Sequence, residues 1–434
     1  MKTSTYGREN IFNVLLVVAF CASFATGRWG SWLGISSFNI FFIDLILLAG
    51  TFLGARYLSV RSTSRFSSII LALYIIFEII YFVDNEFKFI VRDLAPFLYL
   101  LLVPSISKRL PSYNYLSLIR NIGWACVINA LINNLSVVGI LKPTTCSLIC
   151  GVPLFSQRSD QTAIALGVGV LCFQKFQNSK SRIYSAAQVF LIFSLAVNYS
   201  RTSIIVLCIL VLLGIMKFFI YKQNFNFARV FSLILGSSIL FGGYLASDYA
   251  LDFSYQSSFQ RISLEEIRDE AIGVESGTFR SRIVAQELTM RYWLDNSSHV
   301  FGAGPGSAIV QESGAFLLLS GNSEVRYPHN WLVSLVSRFG ILGSFVWLFI
   351  VINYSRNSAL KSIKKVPENM IYFEVRRFFI VPVILILFLT SLFGVVFEAP
   401  FGMVPLLFIL SLNLSLVGHL KDLRDRPQIN LRKE

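Results

Sequence analysis

Long apolar segments recur along the whole chain and are separated by short polar connections. Each segment runs for about 17 residues or more with almost no charge, the length that a helix needs to cross a ~30 Å hydrocarbon core. The pattern therefore predicts an all-α polytopic membrane protein with about twelve transmembrane helices. The predicted spans are 10–26, 37–57, 66–83, 88–107, 114–138, 160–176, 183–199, 203–220, 228–247, 329–354, 378–396 and 400–419.

Basic residues cluster in every second connection, as expected for cytoplasmic loops. Lys2 and Arg8 precede the first span, and further Lys and Arg residues follow spans two, four, six, eight and ten and recur in the tail. One alternation fits the whole chain, so both termini are predicted to be cytoplasmic. Because many spans follow it, the apolar stretch Ile11 to Ala25 is interpreted as an uncleaved first helix and not as a signal peptide.

The same alternation places the long segment 248–328 outside the cytoplasm, between helices 9 and 10. It contains no Lys, whereas it has six Arg residues and eleven acids. Helices are predicted at Leu264–Asp269 and Ser281–Trp293, and a turn at Gly302–Gly306. The predicted organisation is a membrane bundle of helices 1–9 (1–247), a large partly helical periplasmic loop (248–328), helices 10–12 (329–420) and a basic cytoplasmic tail (421–434).

Composition agrees with a membrane protein. Apolar residues make up 55% of the chain and charged residues 14%, whereas a soluble protein has about a quarter of its residues charged. The net charge of +14 follows from the basic cytoplasmic loops, so no nucleic-acid partner is predicted. Most of the six cysteines fall in or beside apolar helices, where a thiol packs as a small hydrophobe. Cys146 and Cys150 lie near the outer face, where a disulfide remains an alternative.

Arginine is the main candidate for chemistry on the outer side. No ATP is present there, so an activated donor such as a diphosphate must bring its own energy, and the planar guanidinium binds phosphate oxygens in two places. Arg201 lies in the short turn Asn198–Ser203, where a cation needs a partner or a polar cavity; snorkelling to lipid phosphate is the alternative. The six loop Arg residues either bind the donor or pair with the loop acids.

His329 lies at the predicted outer start of span ten, and imidazole is the side chain best suited to moving protons near neutral pH. Pro328 suits a first helical turn, and the free amides of that turn favour an anion. Arg338 lies nine residues further along the same span, and Gly340 and Gly343 are predicted to allow close helix packing. We find no acidic metal-binding pair on the outer side and therefore expect no metal and no cofactor.

Three motifs resemble those of the bacterial O-antigen ligase and polymerase superfamily. Ser200-Arg201-Thr202-Ser203 is similar to the family's Ser-Arg turn between two helices. Phe279-Arg280, followed by Val300-Phe301 and then Gly302, Gly304 and Gly306, is similar to its loop Arg and later Gly-x-Gly-Pro-Gly turn. Pro328-His329-Asn330, with Gly340 and Gly343 after a gap, matches its His-Asn and Gly-x-x-Gly pattern. Their order and spacing carry the resemblance, over about residues 155–420.

The resemblance implies an inverting, metal-independent glycosyltransferase whose donor is an undecaprenyl diphosphate-linked glycan. Its Arg residues, here Arg201 with Arg280 or Arg282, and in our interpretation also Arg338, hold the diphosphate, and His329 assists deprotonation or positioning of the acceptor hydroxyl. The chain lacks the aromatic residue that the family often has about four positions after its loop Arg. Arg280 and Arg282 therefore remain alternatives.

The predicted function is polymerisation of lipid-linked repeat units of O-antigen, capsule or exopolysaccharide at the periplasmic face of the bacterial inner membrane. The alternative is a ligase that transfers the finished polysaccharide to lipid A-core or to a protein. A transporter or flippase is a more remote alternative, because broken midplane helices and inverted repeats are not evident in the sequence. Expected partners are the lipid-linked donor, a glycan or lipid A-core acceptor and membrane lipid, together with a chain-length regulator and a repeat-unit flippase.

Overall fold

A computed structural model describes most of the chain as a bundle of helices. The described residues are 3–31, 34–35, 40–41, 43–47, 62–108, 110, 115–142, 155, 159–174, 182–198, 200–221, 279–319, 325–356, 374–394, 396–398 and 400–425. Predicted span nine, the predicted helix at 264–269 and the candidate disulfide between Cys146 and Cys150 lie outside these residues.

The helices of the bundle follow the predicted spans closely. In chain order the helices of the predicted spans are α1 (Thr3–Ser31), α2 (Ser62–Tyr81), α3 (Phe87–Ser107), α4 (Tyr115–Val137), α5 (Ser159–Gln174), α6 (Arg182–Val197) and α7 (Arg201–Tyr221), then α11 (Trp331–Ser355), α12 (Val381–Ser391, after a π-helical turn at Arg376–Ile380) and α13 (Pro400–Asp425). The loop contributes α8 (Phe279–Asn296), α9 (Ile309–Glu312) and α10 (Ala315–Leu319).

Three of these helices are long and apolar enough to cross a membrane within the described part of the chain: α3, α4 and α11. Shorter apolar helical segments occur in α1, α6, α7 and α13. Together with the composition, they identify an integral membrane protein. The number of twelve spans stays a prediction.

Predicted span two differs from the structure at its start. Gly34–Ile35 (β1) pairs antiparallel with Ile40–Phe41 (β2), and helical structure begins at residue 43, whereas a helix from residue 37 was predicted. Isoleucine favours strands, and the Ser and Asn residues between Ile35 and Ile40 favour turns. This sequence therefore suits paired strands better than a helix. At the other end of the chain, α13 continues to Asp425, five residues into the predicted tail.

The core of the bundle is formed by apolar side chains of the membrane helices. Helix α3 packs on α13, α1 packs on α4 and α13, and α5 lies between α4, α6 and α7. Trp331, Trp347 and Phe397 meet with ring centroids 5.3–5.7 Å apart, and this aromatic cluster secures the start of α11. A second, smaller core lies under the loop, where Ala285 and Trp293 of α8 pack with α9 and α10.

Several connections meet at one end of the bundle, which we call the loop end. The turn after α2 contacts the glycine turn, since Asn85 Nδ2 donates to the carbonyl of Pro305 at 2.8 Å. Asn198 Nδ2 donates to the carbonyl of Ser159 at 2.7 Å. Ser334 Oγ donates to Glu398 Oε1 at 2.7 Å. The predicted topology places all of these connections on one side of the membrane, so the packing agrees with that alternation.

Candidate functional site

Asp93 is the centre of a buried polar cluster at the loop end. It lies in the second turn of α3 and is 3% exposed. Its Oδ2 accepts from the backbone N–H of Gly306 at 2.8 Å and pairs with Arg326 Nη2 at 3.2 Å and with Arg338 Nη1. Its Oδ1 accepts from the Tyr327 hydroxyl at 3.0 Å. One carboxylate therefore joins α3, the glycine turn, the segment before α11 and α11 itself.

Arg338 is almost fully buried, with 1% of its surface exposed. Besides its ion pair with Asp93, it donates through Nη2 to the carbonyl of Arg326, and its guanidinium lies 4.8 Å from the centre of the Tyr327 ring. The sequence predicted that Arg338 binds the donor diphosphate. A diphosphate would have to replace Asp93 at this position, so the observed contacts favour a role in holding the bundle together.

Arg326 and Tyr327 were not singled out as site residues from the sequence. Arg326 donates to the carbonyl of Ser307 at 3.1 Å and lies 3.9 Å over the Phe89 ring. Burial lowers its pKa and the nearby Asp93 carboxylate opposes that shift, so the guanidinium stays charged. Burial, with a further contribution from Asp93, raises the pKa of Tyr327 to about 12. The phenol is therefore protonated at neutral pH and acts as a hydrogen-bond donor.

Helix α11 is interrupted at Gly340, which has φ 62° and ψ −167°. At the break, backbone N–H and carbonyl groups of α11 have no hydrogen-bond partner within the helix. The segment His299–Gly304 provides those partners. Ile341 N–H donates to the carbonyl of His299 and Leu342 N–H to that of Val300, both at 3.0 Å. In the other direction Ala303 N–H donates to Ser337 O at 2.9 Å and Gly304 N–H to Arg338 O at 2.8 Å. The loop is thus joined to α11 by main-chain hydrogen bonds.

The glycine motifs are explained by this main-chain contact between His299–Gly304 and α11, which we call the joint. Gly302, Gly304 and Gly306 have φ of 77°, 87° and 84°, in the left-handed region that favours glycine. A Cβ at Gly302 would collide with the carbonyl of Arg338, and a Cβ at Gly340 with that of Val300. The predicted turn at Gly302–Gly306 is confirmed. The predicted close packing at Gly340 and Gly343 is also present, since a Cβ at Gly343 would collide with the Tyr74 hydroxyl.

His329 directly precedes the cap of α11 and has φ 59°. A positive φ is uncommon for a residue with a side chain, and such strain persists where neighbouring contacts fix it. Asn330 is the N-cap, and its Oδ1 accepts from the amides of Leu332 at 3.0 Å and Val333 at 3.4 Å. The sequence placed Pro328 and His329 inside the first helical turn. The helix begins later, and Asn330 occupies two of the amides that were expected to attract an anion.

Asn330 also connects α11 to the arginine-bearing helix of the loop. Its Nδ2 donates to Gln286 Oε1 of α8 at 3.2 Å. Positions 282, 286, 289 and 293 lie on one stripe of α8, since residues four, seven and eleven apart share a helical face. Thr289 and Trp293 on that stripe are buried. Arg282 therefore lies on the face of α8 that contacts the cap beside His329.

Position 280 falls on a different stripe, with 284, 287 and 291. Glu287 and Arg291 form an ion pair of 2.5 Å there with both side chains more than half exposed. The backbone of Arg280 is described as the second residue of α8, whereas its side chain lies outside the described residues. By helical position, Arg282 is the loop arginine on the bundle-facing side.

The Ser200-Arg201-Thr202-Ser203 motif forms the start of α7. Ser200 is its cap: Ser200 Oγ accepts from the N–H of Ser203 at 3.0 Å, and Asn198 Nδ2 donates to Ser203 Oγ at 3.0 Å. Arg201 is the first residue of the helix, and its side chain lies outside the described residues. The capping bonds explain why this turn contains two serines.

Glu398 is a second buried carboxylate at the loop end, with 7% of its surface exposed. Its contact with Ser334 places it one helical turn below the cap of α11. In the sequence Asp93 and Glu398 are ionisable residues within or at the edge of predicted spans, and most residues of this kind were interpreted as structural, paired with one another. Their partners could not be read from sequence, because those partners are up to 245 positions away along the chain. In the described residues no three His, Cys, Asp or Glu side chains are grouped to hold a metal ion.

A comparison with known protein families identifies part of the chain. Residues 186–348 match the model of a family described as O-antigen ligase. The match runs from α6 into α11 and includes the motifs at Ser200–Ser203, Gly302–Gly306 and Pro328–Asn330. No curated protein matches the chain. This match confirms the predicted resemblance to the O-antigen ligase and polymerase superfamily over this region of the chain.

Proposed function

We propose that this protein belongs to the O-antigen ligase and polymerase superfamily and is a glycosyltransferase that polymerises lipid-linked oligosaccharide repeat units at the outer face of the bacterial inner membrane. The donor is an undecaprenyl diphosphate-linked glycan, and the acceptor is a hydroxyl of a second repeat unit. The hydrogen bond between Asn330 and Gln286 is the observation that carries the proposal. It supports a site in which a bundle-facing loop arginine and His329 lie beside each other.

The reaction proceeds by direct displacement with inversion. The acceptor oxygen bonds to the anomeric carbon of the donor sugar, the bond from that carbon to the diphosphate oxygen breaks, and undecaprenyl diphosphate leaves with the electron pair. The hydroxyl proton passes to the imidazole of His329. Arg201 and Arg282 bind the diphosphate and stabilise the charge that develops on the leaving oxygen. Both arginines belong to the region that matches the family.

The role of the loop arginine is tested by comparing Arg282→Ala with Arg280→Ala in a transfer assay with purified protein and lipid-linked repeat unit. Because charge-assisted binding of a phosphate is strong, we expect Arg282→Ala to lose most of its activity. Arg280→Ala is the matched control two residues away and is expected to retain most. The reverse ranking would assign the donor site to Arg280 and contradict the geometry proposed for α8.

A ligase is the second candidate, favoured by the description of the matching family as O-antigen ligase. The same assay separates the two functions by the acceptor. A polymerase forms products of two or more repeat units from the lipid-linked unit alone. A ligase forms product only when lipid A-core or another non-polymer acceptor is added. Product that appears only with lipid A-core would replace polymerisation by ligation as the function.

A further inference from the structure

The carboxylate of Asp93 contacts Arg326 and Tyr327, the two residues immediately before Pro328 and His329. Arg326 pairs with Oδ2 at 3.2 Å, and the Tyr327 hydroxyl donates to Oδ1 at 3.0 Å. On the other side of His329, Asn330 is fixed by its bonds to the amides of α11 and to Gln286. His329 is therefore held between two anchored points, one on α3 and one on α11.

Such double anchoring accounts for the backbone of His329. A left-handed conformation costs a residue with a Cβ about 1–2 kcal/mol. A residue outside a helix or strand keeps such a conformation only where its neighbours are fixed by other contacts. Phe155 is the other non-glycine residue with positive φ in the described part of the chain. The conformation of His329 is thus a local exception that the contacts of Arg326, Tyr327 and Asn330 impose.

We propose that Asp93 is a positioning residue for the transfer reaction and that it orients the imidazole of His329 through Tyr327 and Arg326. This inference rests on the proposed function, in which His329 receives the acceptor proton. Through Gly306 and Arg338 the same carboxylate fixes the glycine turn and the broken part of α11. Asp93 thereby sets the position of the loop and the direction of the histidine together, although it touches neither donor nor acceptor.

The surroundings of Tyr327 allow it to link the Asp93 carboxylate to the backbone of His329. The residue is 8% exposed, and the Arg92 and Arg338 guanidinium groups lie 5.5 and 4.8 Å from its ring centre. Both cations thus lie close to the ring, while its hydroxyl donates to Asp93. Loss of the hydroxyl alone leaves the ring contacts in place. The hydrogen bond between Tyr327 and Asp93 can therefore be removed without creating a cavity in the buried cluster.

Tyr327→Phe is therefore the first test variant, because Asp93→Asn leaves two buried arginines without their carboxylate and endangers folding. We expect Tyr327→Phe to lower kcat by roughly tenfold, in line with loss of a hydrogen bond to a charged group. The KM for the lipid-linked donor should stay unchanged, since Arg201 and Arg282 bind it. Tyr292→Phe is the matched control: it also removes a phenol whose pKa is raised by a nearby carboxylate, that of Glu312, but this phenol lies in α8. It should retain the wild-type kcat.

Combination with His329→Asn separates a role through His329 from a general effect on stability. If Tyr327 acts by orienting the imidazole, Tyr327→Phe should lower kcat in the parent protein and have almost no effect in the His329→Asn variant. Equal losses in both backgrounds would overturn the inference and leave the proposed function intact. A wild-type kcat in Tyr327→Phe would also overturn it. Full activity of His329→Asn by itself would instead remove His329 from the proposed reaction, and with it the role of Asp93.

Discussion

His329 combines an uncommon backbone conformation with a position between the loop and the bundle. Its φ of 59° changes how its role has to be tested, because alanine is disfavoured in the left-handed region. Asparagine adopts that region more readily than other residues with a side chain. His329→Asn therefore removes the imidazole with little effect on the backbone, whereas His329→Ala alters both the chemistry and the local fold.

We expect His329→Asn to lower turnover by roughly 10²–10⁴, the usual effect of removing one general acid–base group. A protonated imidazole cannot accept a proton, so the wild-type rate should fall as the pH decreases from 8.5 to 5.5. The variant should show a weaker dependence on pH. The measurement is transfer from purified lipid-linked donor at several pH values, with donor binding determined in parallel.

His329→Gln provides the control for this experiment, since it retains a hydrogen-bond donor and cannot take up a proton. If His329→Gln works at the wild-type rate with an unchanged pH profile, His329 only positions a hydroxyl or phosphate. In that case the arginines would be the main catalytic groups.

Sequence reasoning at individual positions succeeded where a motif was short and local. The serines around Arg201 and the glycines at 302–306 have structural reasons that lie within a few residues or in one joint. It could not decide the role of Arg338, because the same guanidinium is suited to a diphosphate and to a buried carboxylate. Only the position of Asp93, 245 residues earlier in the chain, distinguishes these two environments.

Among the helices, α11 carries the most unusual feature, the break at Gly340 that receives the segment His299–Gly304. Gly302 and Gly340 each lie against the carbonyl of the other segment. A methyl group at either position would push the loop away from the helix and strain the four main-chain hydrogen bonds between them. The joint therefore depends on two glycines from distant parts of the sequence.

Gly302→Ala tests the joint against a control that has the same backbone cost. Gly314 also has a positive φ, 71°, but a Cβ there would meet nothing within 4 Å. Both alanine variants lose about 1–2 kcal/mol to the left-handed conformation, and Gly302→Ala loses a further ~1–3 kcal/mol by overpacking. In detergent, Gly302→Ala should melt at a clearly lower temperature than Gly314→Ala and have less transfer activity. Equal melting temperatures of the two variants would show that the joint accommodates a methyl group at Gly302 without loss of stability, and would contradict this prediction.

Most predicted helices agree with the structure to within a few residues, since length and apolarity alone determine a membrane-spanning helix. The exceptions are α1 and α13, which extend into the polar segments at the two ends of the chain. The start of predicted span two was wrong because a hairpin and an apolar helix have similar composition over so few residues. The break in α11 could not be located either. Glycine indicates close packing equally well in an intact helix, and the segment that fills the break comes from the loop.

In the whole molecule, the connections that meet at the loop end are those that charge alternation assigns to one side. The packing therefore agrees with the predicted alternation of the spans. The assignment of the loop to the periplasm and of the basic connections to the cytoplasm stays a prediction from charge alone.

A topology experiment tests the orientation directly. An activity reporter fused at Ser257 or Ser313 should report the periplasmic side, and one fused at Lys364 the cytoplasmic side, because Lys and Arg remain on the cytoplasmic face. Ser313 follows α9 in the described part of the loop, and 357–373 is the basic connection between α11 and the next helix. A cytoplasmic signal from the Ser313 fusion would invert the bundle and move the proposed site to the wrong side for a lipid-linked donor.

The break at Gly340 also has a consequence for how the protein is made. The carbonyls of His299 and Val300 that satisfy Ile341 and Leu342 leave the ribosome before α11 does. The side chain of Ile341 is 61% exposed on the outside of the bundle, and amides without partners are costly next to lipid. In the predicted topology the loop would therefore have to be exported and folded back before α11 can settle in the membrane, and translocation of the loop would control when the last part of the bundle assembles.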